Sequence, residues 1–391
     1  MDALVQLLKL SFGDKFYLIF ISYFWLIGYS SGFWNRLGMD VDIANFVILL
    51  LLSLLSFNKW KNKIRLSDIF LYLIITILYF ISSLIYPNTY DDIFSHAFEV
   101  VFVTFSFLFI GISFKNKEYS GWITTLSFGA IVINILYLLF FHSNVNDYES
   151  MNRAYILLPS VLYILWQCFE HFKFKTFLMF IIGFVLECSM GSRGPFVCIL
   201  FFTAVYLLFF KRYKHGNVIR ICIVGVSALL YFISTLLAEL MIIIMSGLGM
   251  STRIFDKVLN DALINYENSS GRDSIQTMLL KKLQQDDVGL GFGLFSDRKL
   301  TGHYAHNILI ELWYSFGYMI GSLLLLLVLL LFVRFLFICK NNDSKIFALI
   351  FFTVTIIKMC FSGTFIEDPF LYFFIGYCIY GIREANKLQS L

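Results

Sequence analysis

Long apolar runs separated by short polar stretches organise this chain, with none of the strict apolar and polar alternation that a membrane barrel strand requires. Runs bounded by charge fall at 16–34, 43–57, 66–86, 97–114, 121–141, 154–170, 174–190, 196–210, 219–244, 308–338, 346–362 and 369–382. A helix needs about 20 residues to cross a bilayer, and continuous runs can pair their backbone groups in lipid only as helices. The pattern predicts an all-α polytopic membrane protein with about 12 transmembrane helices, the whole of 1–391 forming a single integral membrane domain. The weak run at 43–57 is short enough to be re-entrant.

One polar segment, 247–305, is long enough to carry structure of its own. Ile254, Phe255, Val258, Leu259, Ala262, Leu263 and Tyr266 recur with helical spacing and predict an amphipathic helix on the membrane surface. Ser270 and Asp273 form a Ser-x-x-Asp start signal for a second helix through Ile275, Leu279 and Leu283, and Gly289, Gly291 and Gly293 then end regular structure. No internal repeat is visible, which weighs against an inverted-repeat transporter.

Composition agrees with a membrane protein: 59% of the 391 residues are hydrophobic and 14% charged, which excludes a soluble, disordered or nucleic-acid-binding chain. The formal charge of +4 gains meaning from its distribution. Nineteen of the 30 lysines and arginines lie in alternate loops, among them Lys59, Lys61, Lys63 and Arg65, then Lys115 and Lys117, and finally Arg383 and Lys387. By the positive-inside rule those loops are cytoplasmic, both termini are inside and 247–305 is external. No cleavable leader is expected, since the first run is long enough to span and no A-x-A site precedes Trp34. The seven cysteines show no CxxC spacing and read as packing thiols.

On this topology Glu99, Glu187, Glu239, Glu311 and Lys358 all fall in the external parts of their helices. Arg193 opens a helix after a Gly191–Pro195 turn, and Arg272 stands at the start of the loop helix. A cation at the positive end of a helix gains nothing from the dipole, whereas an anion bound there would use both. His303, His306 and Asn307 lie where the loop re-enters the membrane, and a histidine there can serve as general base or donate to a phosphate oxygen. His303 and His306 lack an evident third partner for a metal. Asp40-Val41-Asp42 resembles a metal-holding acidic pair, but so short a pattern reads better as a solvated loop, and Asp286-Asp287 as a helix terminus. No metal or cofactor is expected.

The ordered set of Ser192-Arg193-Gly194, one large external loop with Gly271-Arg272, the Gly289–Gly293 stretch, and His306-Asn307 leading into Leu309 and Leu312 resembles the O-antigen polymerase (Wzy) and O-antigen ligase superfamily. The likeness covers residues 150–320 in motif order. It implies a GT-C-like fold in the bacterial inner membrane and an inverting, metal-independent glycosyltransferase with its active site at the periplasmic face. Donor and acceptor would be oligosaccharides on undecaprenyl diphosphate, with membrane lipid, a chain-length regulator and a flippase as partners. In the resemblance, Arg193, Arg272 and His306 are the catalytic set and Arg153 is a further phosphate contact; Asn307, His303 and Glu311 are added as candidate substrate-binding residues, Glu311 having no role that the family assigns and standing with Glu187 as an alternative base. Polymerase is favoured over ligase, for O-antigen or capsule. From another class, a lipid-linked oligosaccharide flippase or transporter would need charges along a central path, and none is visible.

Overall fold

The computed structural model describes residues 12–36, 39–57, 61, 63–141, 147–190, 193–210, 239, 242–243, 246–247, 272–285 and 289–389. Among these the regular structure is all helical, with no strand. The runs at 219–244 (in large part), the surface helix at 254–266, the Ser270 start signal, Ser192, Gly271, Cys222 and Asp286-Asp287 lie outside the described residues.

The helices run α1 Phe12–Arg36, α2 Val41–Leu55, α3 Leu66–Ile85, α4 Tyr90–Ala97, α5 Phe107–Ser113, α6 Asn116–Phe141, α7 Asp147–Glu170, α8 Phe174–Ser189 and α9 Arg193–Val205. After the long loop come α10 Arg272–Gln285, α11 Ser296–Thr301, α12 Ile308–Ile338, α13 Asn342–Phe352 and α14 Pro369–Gln389. The predicted run at 97–114 is the later part of one helical stretch, Pro87–Ser113, whose segment Phe98–Thr104 has π geometry. Among the described residues, four helical segments are long and apolar enough to cross a membrane: Leu66–Ile85, Pro87–Ser113, Glu118–Tyr137 and Ile308–Ile338. The first of them is largely bare of protein, as lipid contact requires: Leu73, Ile74, Ile77, Leu78 and Leu84 of α3 are all exposed.

Two compact units make up the chain, Met1–Leu126 with Ser270–Leu391, and Ser127–Ser269. In the first, α5 and α14 cross at a pair of glycines. A Cβ on Gly111 would overlap the carbonyl of Phe373, and one on Gly376 would overlap the carbonyl of Leu108. Where lipid supplies no hydrophobic drive between helices, such small residues let backbones meet and gain dispersion contact. Around the crossing Phe114, Phe347, Phe373 and Tyr377 interlock, with Phe114 and Phe347 stacked at 5.2 Å and Phe373 and Tyr377 at 6.1 Å. In the second unit α8 packs on α7 through Gly183, where an added Cβ would press Ile131 and Val161 at 3.0 Å.

The antiparallel helices give the first unit two ends. One gathers the starts of α12 and α14, the end of α3 and helix α11; the other gathers the start of α3, the ends of α5 and α12, and the last turns of α14. The 21-residue α14 alone separates them by about 30 Å.

Candidate functional site

The site residues predicted on the loop and at its re-entry point collect at the first of those ends, and a break in α12 organises them. Gly317 departs from helical geometry at φ 79° and ψ 164°. The carbonyls of Tyr314 and Ser315 then accept from the loop instead of the helix: Phe292 N–H donates to Tyr314 at 2.8 Å and Gly293 N–H to Ser315 at 3.0 Å. Irregular backbone is tolerated at such a break because those groups are paired again. The contact is possible only between glycines. Gly291 and Gly317 both have positive φ, and a Cβ on either would strike the backbone of the other segment. The sequence signal for a loop end at Gly289–Gly293 is thus a helix-break insertion.

Helix α10 docks on the start of α12 by burying Leu279 and Leu283 against Ala305, Ile310 and Tyr314. That docking brings Arg272 to the site, where its Nη1 donates to the carbonyl of Phe361 at 2.8 Å. Helix α11 supplies the underside. Asp297 is buried, and its Oδ2 accepts from Ala305 N–H at 2.9 Å, tying down the loop that leads to His306. Burial raises the Asp297 carboxyl above its ordinary value, an effect that Arg298 beside it partly offsets.

His306 is half-buried with φ 54°, a left-handed conformation unusual for a side chain this large. Holding it there costs of order 1–3 kcal/mol, which the anchored loop and the helix start of α12 sustain. Its ring lies 4.1 Å from that of Tyr304, and its Nδ1 is buried with no hydrogen-bond partner among the described residues. Burial pushes the imidazole down to about 4, and the charges of Arg272 and then His303 push in the same direction. At neutral pH His306 is therefore an uncharged imidazole facing a guanidinium. His303 is exposed in a small turn, its N–H donating to Thr301 Oγ1 at 3.2 Å.

Asn307 caps α12: its Oδ1 accepts from Leu309 N–H at 3.0 Å and Ile310 N–H at 3.3 Å. Glu311 is buried within the first turn, where its carboxylate accepts from the Thr364 hydroxyl and from Phe365 N–H at 3.3 Å. Both side chains, read from sequence as candidate substrate contacts, thus have structural partners.

The last two residues of the run read at 346–362 and the connector after it, residues 361–368 together, are the feature that sequence reasoning missed. Site residues fasten it along its length. Arg272 holds Phe361, Tyr304 Oη meets Ser362 Oγ at 3.3 Å, Glu311 holds Thr364, and Arg298 grips Glu367 in a bidentate pair at 2.7 and 2.8 Å. Lys358 pairs with Asp368, whose Oδ1 also caps α14 by accepting from Phe370 N–H at 2.9 Å. An Asp-Pro step ahead of an apolar run is a helix-start signal, so the cap at Asp368 was readable. The Arg298–Glu367 pair joins residues 69 apart and has no local signature.

Arg153 and Arg193 belong to the second unit. The guanidinium of Arg153 lies 3.2 Å from the centroid of the Tyr137 ring, and Arg193 is the first residue of α9. Glu187, late in α8, is buried, and neither carboxylate oxygen has a hydrogen-bond partner among the described residues. Asp40 caps α2 by accepting from Ile43 N–H at 3.0 Å, so the Asp40-Val41-Asp42 stretch already enters a helix. Among the described residues no three histidines, cysteines or acidic residues gather in a group able to hold a metal ion.

No known protein family matches this chain, and no curated protein matches it.

Proposed function

We propose that the protein is a polytopic inner-membrane glycosyltransferase that polymerises glycan repeat units carried on undecaprenyl diphosphate at the periplasmic face. In this reading the chain crosses the membrane twelve times with both termini cytoplasmic, and 247–305 is the periplasmic loop containing α10 and α11. The observation that carries the proposal is the pairing of a neutral, strained His306 with Arg272, whose one hydrogen bond among the described residues is to a carbonyl.

An acceptor hydroxyl attacks the anomeric carbon of the donor sugar while undecaprenyl diphosphate departs from the opposite face. Negative charge builds on the leaving phosphate, and Arg272 stabilises it. Preorganised charge of this kind is worth several kcal/mol in a site shielded from water. His306 enters neutral and so is able to take the hydroxyl proton. A bound diphosphate opposes in sign the charges that depress the imidazole, so substrate binding raises its basicity toward the range a general base needs.

The test is purified protein with an undecaprenyl-diphosphate-linked repeat, followed by product ladder and released undecaprenyl diphosphate. Arg272→Ala and His306→Ala should each lower turnover about 100-fold or more, and Arg272→Lys should fail substantially because a point charge cannot make the bidentate contact. Wild-type ladders from both alanine variants would reject the site. If the wild type extends no lipid-linked glycan but transfers it to a lipid A core, the enzyme is a ligase.

A further inference from the structure

The short turn 303–306 carries the chain from α11 to α12, and both of its ends are fixed. Gly302 closes α11 by donating its N–H to the carbonyl of Arg298 at 2.7 Å, and Asn307 caps α12. Ala305 is fixed as well, on two sides. Its side chain is fully buried among Leu279, Leu283, Ile310 and Tyr314, and its N–H donates to Asp297 Oδ2 at 2.9 Å. His306 is the single residue between the pinned Ala305 and the cap at Asn307. Its left-handed φ of 54° is the geometry in which the chain spans from one to the other.

A second observation marks α11 as the element that imposes this geometry. Among the described residues two non-glycine positions have positive φ, Phe295 and His306, and they flank the helix and its turn. Such conformations persist where the surroundings over-determine them. Phe295 is buried and stacked on His96 at 4.9 Å, with the guanidinium of Arg298 4.8 Å from its centroid. Arg298 is in turn gripped by Glu367, so α11 is braced on the side away from the turn. The charge of Asp297 is not what the imidazole feels: burial depresses it first, then Arg272 on α10 and His303 in the same turn. Asp297 therefore reaches His306 through the backbone.

We infer that Asp297 is the positioning residue for His306: by holding the Ala305 N–H it keeps the histidine left-handed, with the imidazole half-buried beside Tyr304. This rests on the reading of His306 as the group that takes the acceptor's proton. Without the pin, residues 303–306 relax to an ordinary backbone, the imidazole turns toward water, and its basicity rises toward that of a free histidine. The ring then stands away from the reacting hydroxyl, and a misplacement of about 1 Å can cost about 100-fold in rate.

The experiment takes full-length protein in neutral detergent and reads two quantities separately. One is the titration of the His306 imidazole, assigned by the resonance that His306→Gln removes; the other is kcat and KM on an undecaprenyl-diphosphate-linked repeat. Asp297→Ala should raise the titration midpoint by about one unit or more above wild type, and lower kcat about tenfold or more with KM within about twofold. Asp297→Asn, whose amide oxygen accepts the same bond, should return both close to wild type. Asp297→Ser keeps a polar group in the buried position but is too short to reach the Ala305 N–H, and reports the same shift if the alanine variant does not fold. A midpoint in Asp297→Ala equal to that of wild type, or an Asp297→Asn variant as shifted as Asp297→Ala, would overturn the proposal. A shifted midpoint with undiminished turnover leaves the pin standing and rejects His306 as the base.

Discussion

At the His306 end of the first unit, Arg298 lies on Glu367, Lys358 on Asp368, and Arg272 on a backbone carbonyl; at the other end, Lys63, Arg65, Lys115, Arg383 and Lys387 line one pocket with Glu384, with Asp68 on Arg383 and Glu118 on Lys115. The two ends carry similar residue types and handle them differently. Near His306 the acids Asp297 and Glu311 are almost fully buried, and charge there is matched pair by pair or held by backbone donors. At the far pocket Arg65 and Lys387 are exposed, so solvent screens the charges that meet there. A count of lysines and arginines therefore does not locate the site. What distinguishes Arg272 is that, among the described residues, no acid pairs with it, so its charge is available to a ligand where its neighbours' charges are spent on the fold.

The strongest way to break this comparison is to remove the backbone contact that shapes only one end. Gly317→Ala places a Cβ against the Gly289 carbonyl at a φ of 79°, and should destabilise the protein by about 3 kcal/mol or more. The loop carrying His306 should loosen while the far end keeps its packing. Proteolysis of the 289–307 segment, compared with hydrogen exchange in the last turns of α14, would read this; equal loss at both ends would mean that the two are not separable.

A smaller effect separates the two roles open to Asn307. Asn307→Ala should cost about 1 kcal/mol by loss of the α12 cap, and Asn307→Ser, which still caps, should restore most of it. If turnover recovers with stability in the serine variant, Asn307 acts by positioning His306. Turnover that stays low at restored stability would assign it to the substrate instead.

The finest test is pH. The folded protein holds His306 at about 4 against an ordinary value of 6.5, so between these the unfolded chain binds more protons. His306 therefore contributes stability that is complete above about pH 6.5 and fades as pH falls through about 4. His306→Gln should flatten the melting temperature across that window relative to wild type. Imidazole resonances titrating near 6.5 in the folded protein would remove the low-basicity picture, and with it the difference in electrostatics between the two ends.

Much of the frame was legible in the sequence because apolar runs report helices directly. The run at 308–338 coincides with α12, and 66–86 and 174–190 end within a residue of α3 and α8. The break at Gly317 was not legible, since Leu and Ile continue on both sides and the run reads as unbroken. Arg272 and His306 stood out because each breaks a local rule, a cation at a helix start and a histidine at a membrane entry. Lys358, Glu311 and Glu367 acquire their meaning only from partners 10 to 69 residues away, which no window of sequence contains.

The break in α12 also sets a depth. Before it, Ile308, Ile310, Glu311, Leu312, Tyr314 and Ser315 are buried in protein; after it, Met319, Leu323, Leu327, Leu330 and Phe337 are exposed. The straight rod from Tyr318 to Ile338 measures about 31 Å at 1.5 Å per residue, close to the thickness of a bilayer's hydrocarbon core. Only this rod has to match the membrane. On the topology proposed above, the stub from Ile308 to Phe316 is released from hydrophobic matching, so the membrane's thickness would fix how high above the acyl chains His306 rides, and a thinner or thicker bilayer would move the imidazole relative to the headgroups without altering its chemistry.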